Sequence, residues 1–507
     1  MKQHRQTSRY KRQGGRAGYV LLLVALLLPL LIGLIGLTVD GGLLLASHER
    51  AQSVADATAR SVAIALKRGA PHDSLQAYGE SVAYGLNGLP RDDEMTSSSQ
   101  VAVHHPPVSG PFTGNSAYVE VLVSHPLDTH FIQIAGTGTS HFSSTARAVA
   151  GYRSIPRNAG VVVLDPLGNP GLSVSGSNAK LTVDSAIIVY SNRAGENEYG
   201  ATVGLISSGQ AAVTLGGSGT TLQAVELYVA GGVDDAANYL APAVEELYAG
   251  MNDPVDDPFH DHTTTLLPIP TTNTGVINRQ LGRVTISTGT PRNLVSPNNH
   301  NSATGVTTLY PGIYDSIRIT GGNVVLKEGI YVLRNTNGGG NVLTITGGNV
   351  VARGVMIYNT GSTWDPVTGG SDQSDLSVPS NTRPSGAQQT RFGGVTMNGA
   401  LVTMTPIDIN NPAFDYSEAP GIGVFQDMVY YQRRFNSQAI NVNDGAPFPG
   451  GISGRIYAKW AQLKISGNGT YNFSIVVGSL SSSGNGTITV RDRLPLEPRV
   501  SPVRLVE

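Results

Sequence analysis

Three hydrophobic patterns follow one another along the chain. From Gly18 to Val39 the sequence is apolar and uncharged, and Asp40 is the first acidic residue. As a helix, those 22 residues would span about 33 Å, close to the hydrocarbon thickness of a bilayer. Six cations precede the span (Lys2, Arg5, Arg9, Lys11, Arg12 and Arg16), and the stretch after it is nearly neutral. This charge bias places the N-terminus in the cytoplasm and the remaining chain outside. The apolar run exceeds the usual core of a secretory signal, and the sequence after Asp40 does not fit a small-x-small cleavage site well, so a retained anchor is expected. Pro29 sits within the span, where membrane helices tolerate it.

From Asp40 to Lys67 the pattern turns helical and alanine-rich, with Ala51, Ala55, Val62 and Leu66 falling on one side of a helix. The helix is therefore expected to continue beyond the membrane and pack through that stripe. Beyond Gly151 the period shortens to alternating β runs punctuated by Gly, Asn and Ser, with one further helical pattern at 236–250. Repetition is visible there. ITGGNVV at Ile319–Val325 recurs at Ile345–Val351, SGNGT at Ser466–Thr470 recurs at Ser483–Thr487, and LSVSGSNAKLTV and VTLGGSGTTLQAVELYV are built alike. Repeats of this length predict the turns of a parallel β-helix, each covering the next; an antiparallel β-sandwich is the alternative. Two Pro-, Asp- and Ser-rich stretches interrupt the pattern, at 251–275, read as a linker, and at 361–391, read as an exposed loop.

Composition narrows the function classes. Gly is 62 of 507 residues and charged residues are 14%, which suits turn-rich β structure. A formal net charge of −2 gives no basic field for nucleic acid. The absence of cysteine removes thiol nucleophiles, disulfides and thiolate metal sites. No Walker loop or G-x-S-x-G is present, and His48-Glu49 fails as a zinc motif because Gln52 stands where the second histidine belongs.

Weaker chemistry is scattered. Asp253, Asp256, Asp257 and Asp261, with His260 and His262, offer hard ligands for calcium but no metal-loop spacing, so a solvated linker is the simpler reading. Asp315, Arg318, Lys327 and Arg334 are the local candidates for polysaccharide cleavage on a β-helix, against a plain charged outer face. Tyr430 and Tyr431 are candidates for stacking on sugar. Asn468, Asn472 and Asn485 lie in glycosylation-type sequences that Gly-Asn turns explain equally well. These residues imply no catalytic group and no cofactor.

A basic stretch, a span with an internal proline, the V-D-x-G step Val39, Asp40 and Gly42, and the segment Ala51, Gln52, Ala55, Asp56 and Ala57 together resemble the N-terminal region of TadG-like proteins of bacterial tight-adherence (Flp) pilus-assembly systems. The likeness continues through a helix ending at Asn87 and Gly88, a strand, a helix around Phe131 to Gly136, and a closing strand at Ala148 and Ala150. Looser similarity links the C-terminal β pattern to the β-helical region of some TadG-related proteins. The resemblance implies a pilin-like α+β stem in the bacterial inner membrane, with pilus-assembly membrane subunits as partners. Surface glycans are a further expected partner of the β region. Five residues after Gly18 stands Leu23, where processed pilins carry Glu, so cleavage and polymerisation as a major pilin are not expected.

The expected organisation is thus a basic cytoplasmic segment (1–17), a transmembrane helix (18–39), a TadG-like stem (40–152), a first β region (153–250), the linker (251–275), a mainly β body, read as a solenoid (276–490), and a loose polar tail (491–507). The expected role is structural or adhesive, in a single-pass protein of a pilus-assembly or adhesion apparatus. A membrane-tethered carbohydrate-binding protein or polysaccharide-degrading enzyme is the alternative.

Overall fold

A computed structural model describes residues 17–67, 70–87, 89, 99–128, 141–152, 158–198, 200–239, 243–250, 257–260, 266–288, 291–336, 338–379, 381–444, 451–467, 469–491, 494–495 and 503–506. The chain divides into two compact units, one formed by residues 1–155 with 499–507 and the other by 156–498.

The first unit is built on α1, a single helix Ala17–Lys67 that continues through Pro29. At 51 residues it is about 76 Å long. Its first half is bare: Leu21, Leu26, Leu30, Ile35 and Leu45 are all more than half exposed. Its second half is buried on one side, and Ala51, Ala55, Val62 and Leu66 all lie in the core, as their spacing predicts. The alanines let the helix lie close against an antiparallel sheet of β1 (Gln100–His104), β2 (Tyr118–Asp128) and β3 (His141–Gly151). Val119, Val121 and Val123 of β2 and Ala146, Ala148 and Ala150 of β3 alternate inward, the period expected of a sheet with one covered face. A short helix, Leu75–Glu80, runs on into a π-helical turn to Leu86, matching the helix expected to end at Asn87. The helix expected around Phe131 to Gly136 and the site at Gly88 lie outside the described residues.

The polar tail is not loose where it is described. Arg504–Leu505 pairs antiparallel with Gly151 and Ala150 as the edge strand of the stem sheet, and Val503 joins the core. Val503, Leu505 and Val506 supply enough apolar surface to hold a strand in a segment whose composition reads as polar. Leu494–Pro495 pairs likewise with Asn158–Ala159 inside the second unit.

The second unit is mainly β, and its pairings are overwhelmingly parallel. This excludes the antiparallel sandwich. The two ITGGNVV copies are direct neighbours: Ile319 pairs with Ile345 and Val325 with Val351. Gln280–Ile286 pairs with Gly312–Leu326, which pairs with Asn341–Ala352. That strand meets Gly394–Asn398 and Leu401–Met404, followed by Ile440–Asp444, Ser453–Gly467 and Gly469–Ser483. The last of these pairs with Asn158–Val163 and Leu172–Ser175 from the start of the unit, and Val213–Gly216 follows. The first β region therefore continues the later β strands in one sheet, with the unit's two chain ends meeting in its interior. Inward positions such as Ile317, Ile345, Val395, Ile440 and Leu463 form one apolar cluster.

Three local expectations change. Residues 236–250 form a short 3-10 turn, Ala236–Tyr239, and a strand, Val244–Tyr248, because the apolar positions Val244 and Leu247 are drawn into the sheet beside Ala224–Tyr228. In the 251–275 stretch, Asp257, Phe259, Leu267, Ile269 and Thr271 are buried, so the described part is packed rather than solvated. In the 361–391 stretch, Trp364, Asp372 and Asp375 are buried; Trp364 donates to the Pro270 carbonyl, and Arg433 pairs with both aspartates.

Candidate functional site: the bare helix and the face beyond it

The clearest unsatisfied surface is the first half of α1. Leu21 through Leu45 leave large apolar side chains exposed on every side of the helix, which water does not tolerate over such a length. By length and composition the helix is able to cross a membrane. The exposed apolar residues reach Leu43, Leu44 and Leu45, several residues beyond the boundary at Val39.

The motif residues lie where the helix leaves this stretch. Val39 is exposed, Asp40 is buried, and Gly42 has open space around it. Farther along, Gln52 donates from Nε2 to Asp56 Oδ1 at 2.7 Å and to the Arg147 carbonyl of β3 at 3.0 Å. Asp56 thus holds the amide that ties the helix to the sheet. Ala55 is fully buried, while Ala57 is half-buried and lines a shallow recess of about 530 Å³ with His48, Glu49, Ser53, Arg60 and Leu505. This part of the motif joins helix to strand and shapes a polar face beside the join.

A second polar cluster stabilises the stem. Glu120 is fully buried on β2 and accepts from Val108 N–H, Ser109 Oγ and Arg147 Nε. Burial pushes its carboxyl up, but the Ser109, Arg147 and Val108 hydrogen bonds and the Arg147 charge outweigh it and hold the group below its ordinary value.

The scattered candidates of the second unit do not assemble into one site. Asp253, Asp256, Asp261 and His262 lie outside the described residues. Asp257 is buried and already used: it accepts from Tyr457 Oη at 2.6 Å and faces Lys459 Nζ at 3.1 Å. Among the described residues no group of three or more metal-binding side chains is present. Asp315 and Arg334 face each other at 3.9 Å, whereas Arg318 is exposed and bonds to neither, and Lys327 lines a separate recess. Tyr430 and Tyr431 are buried, which removes them as sugar platforms. Tyr430 donates to Gln432, while the Tyr431 hydroxyl accepts from Arg434. Among the glycosylation-type sites, Asn485 accepts from the Ser177 N–H, the role of a turn residue, and Asn472 is exposed on a strand; Asn468 is outside the described residues.

Sequence reasoning missed the buried group around Arg434. That guanidinium is fully enclosed and donates to the Phe259 and Leu267 carbonyls and to Tyr431 Oη. It lies 5.4 Å from the Tyr457 ring centroid. Arginine, tyrosine and aspartate spread across more than 170 residues leave no local signal of this kind; the arrangement fastens the 257–271 segment and has a structural role.

Comparison with known proteins adds one finding. A family model described as putative Flp pilus-assembly TadE/G-like matches residues 18–65. The matched stretch is the bare apolar helix together with the motif residues that follow it. No curated protein and no solved structure matches the chain.

Proposed function

We propose that this chain is a single-pass membrane component of a Flp/Tad-type pilus-assembly or adhesion apparatus, with a structural or adhesive rather than catalytic role. One observation carries the reading: the segment matching the TadE/G-like family, 18–65, is the helix that leaves its apolar first half bare and buries its second half against a small sheet. In this reading the helix spans the bacterial inner membrane, the cationic N-terminus stays in the cytoplasm, and both the stem and the β body are exported. The polar face around His48, Glu49, Ser53 and Arg60, immediately past the membrane, is where neighbouring assembly subunits would dock.

The exported body is read as a parallel β-solenoid. Its support is the 26-residue step that sets Ile319 against Ile345, the run of parallel in-register pairings, and the glycine corners that recur from one level to the next. A non-catalytic role fits the engagement of Asp257 and Asp315 with their own lysine and arginine partners.

The test is co-purification of full-length protein from detergent-solubilised bacterial membranes, compared with a Glu49→Lys/Arg60→Glu variant. Both substitutions fall on exposed positions outside the stem core. Recovery of pilus-assembly subunits with the native chain and their loss with the variant is expected. If neither chain brings down an assembly subunit, the reading fails.

A further inference from the structure

The stem holds a pair of histidines that its core and its family motif leave unused. Edge strand β1 and the short helix Leu75–Glu80 are fastened to each other at two points. The Gln76 side chain spans the strand edge as a neighbouring strand would, accepting from the Val103 N–H at 2.7 Å and donating to the Val101 carbonyl at 2.8 Å. Gly79 lets the helix lie so close to β1 that a Cβ there would collide with the Val103 side chain. The start of the helix is fixed as well: Leu75 is buried in the stem core, and the Ser74 N–H and hydroxyl both close the preceding turn on the Pro71 carbonyl. His72 in that turn and His105 just past the end of β1 are thereby held face to face across the seam. Their ring centroids are 4.4 Å apart and their Nδ1 atoms 2.6 Å apart, at an exposed place on the stem.

The hydrogen bonds around the pair decide what it can hold. His105 Nε2 lies 2.7 Å from the Ser116 carbonyl. A carbonyl only accepts, so Nε2 carries the proton and Nδ1 of a neutral His105 presents its lone pair to His72. His72 Nδ1 fills the contact with its own proton, and its Nε2 makes no hydrogen bond among the described residues. That proton therefore has a second place to go. Once it sits on Nε2, two lone pairs converge on one point with no change in the charge of the protein. An imidazole whose far N–H is held by a backbone carbonyl is the common form of a metal-ligating histidine, because the bond fixes the tautomer and the ring plane and makes the facing nitrogen more basic.

Geometry and donor type select the ion. Two imidazole nitrogens at about 2.0–2.1 Å from a tetrahedral ion stand about 3.3 Å apart, so the rings need to part by less than about 1 Å. Rotation of two exposed side chains supplies this and leaves the Gln76 clamp intact. Neutral imidazoles suit borderline ions such as Zn²⁺, whereas Mg²⁺ and Ca²⁺ require oxygen ligands. His104 falls on the opposite face of β1, in register with Glu120, and among the described residues no third metal-binding side chain joins the pair. The remaining coordination positions are open to water.

We infer that His72 and His105 bind a borderline divalent ion of the Zn²⁺ class through both Nδ1 atoms, and that the bound ion clips the short helix to the edge of the stem sheet. The inference goes beyond the proposed assembly role and needs no pilus partner.

The test uses tag-free full-length protein in detergent, titrated with Zn²⁺ and, separately, with Mg²⁺. Saturable Zn²⁺ binding is expected, with a rise in melting temperature that a chelator reverses and that Mg²⁺ does not produce. His72→Gln and His105→Gln should each weaken Zn²⁺ binding by about tenfold or more and abolish the rise, while His104→Gln behaves as the native chain does. Melting without metal checks that each variant is folded. Cu²⁺ bound to the native chain reads the site without any substitution, its electron paramagnetic resonance spectrum showing two coordinated imidazole nitrogens. No Zn²⁺ binding, binding unchanged in both His72→Gln and His105→Gln, an equal loss in His104→Gln, or a Cu²⁺ spectrum without imidazole nitrogens would each overturn the proposal. Because no assembly subunit is present, its failure is separable from failure of the co-purification experiment.

Discussion

Gly176 lies directly against the backbone carbonyl of Gly484, a residue from the other end of the second unit, so closely that a Cβ on Gly176 would collide with it. Gly217 stands in the same relation to Gly176, and Gly484 in turn approaches Gly467. All four have positive φ, from 105° to 137°, a region that L-residues avoid. The sharp corner of each level is thus a column of glycines, and it is at this column that the first β strands of the unit join the last.

Replacing Gly176 with alanine combines an unfavourable φ with a backbone collision and is expected to cost about 3 kcal/mol or more. Gly305 also has positive φ, 68°, but open space around it. Gly305→Ala should therefore cost only about 1 kcal/mol. Denaturant melts of the two variants separate the collision from the dihedral cost. Equal losses would show that the glycine column is not close-packed.

Much of this architecture is legible in the sequence, for a physical reason. Ala51, Ala55, Val62 and Leu66 announce a helix face because the helix period is local, and ITGGNVV announces stacking because identical residues at one level and the next must occupy the same corner. The junction of Gly469–Ser483 with Asn158–Ser175 was written only as a shared serine-glycine step, at Ser175-Gly176 and Ser483-Gly484, too short to assign a partner. Composition misled at Asp257 and at the tail. The carboxylate's partners Tyr457 and Lys459 are 200 residues away, and a two-residue strand such as Arg504–Leu505 needs its neighbour to exist.

Glu120 links the stem to pH. Its carboxyl is held below the ordinary value of 4.5, so the folded state gives up the proton more readily than the unfolded chain does. The resulting stability is fully present above 4.5 and is lost as pH falls through the depressed folded value. Glu120→Gln should lower the melting temperature at pH 7 and flatten the loss on acidification. If the variant and native proteins lose equal stability between pH 7 and pH 3, the Glu120–Arg147 contact is not the acid-sensitive element.

Arg434 is fully buried, and its removal takes away the donor that the Phe259 and Leu267 carbonyls now share. Arg434→Ala is expected to cost about 1–3 kcal/mol for the stranded Leu267 carbonyl, whereas the Phe259 carbonyl keeps its bond from the Leu267 N–H. It should also expose the segment between Asp257 and Thr271 to limited proteolysis before the rest of the body. A variant that melts like the native chain and is cut no faster would mean that this segment is fastened by its apolar residues, Phe259, Leu267 and Ile269, alone.

The bare half of α1 yields a prediction that distinguishes a membrane span from an ordinary docking helix. Leu34 lies near the middle of the exposed stretch Leu21–Leu45 and is itself more than half exposed. An aspartate there costs roughly 2.5–3.5 kcal/mol in insertion if the position sits at the bilayer centre, and almost nothing if the helix lies in water. The stem core begins at Ala51, so Leu34→Asp leaves its packing untouched. The expected outcome is a shift of the full-length chain from the carbonate-resistant membrane fraction to the soluble or aggregated fraction, with the stem still protected from protease. Leu34→Ala, which keeps the segment apolar, should remain in the membrane. If both variants stay membrane-bound to the same extent, insertion does not depend on the apolar character of this helix, and the single-pass reading of the chain falls with it.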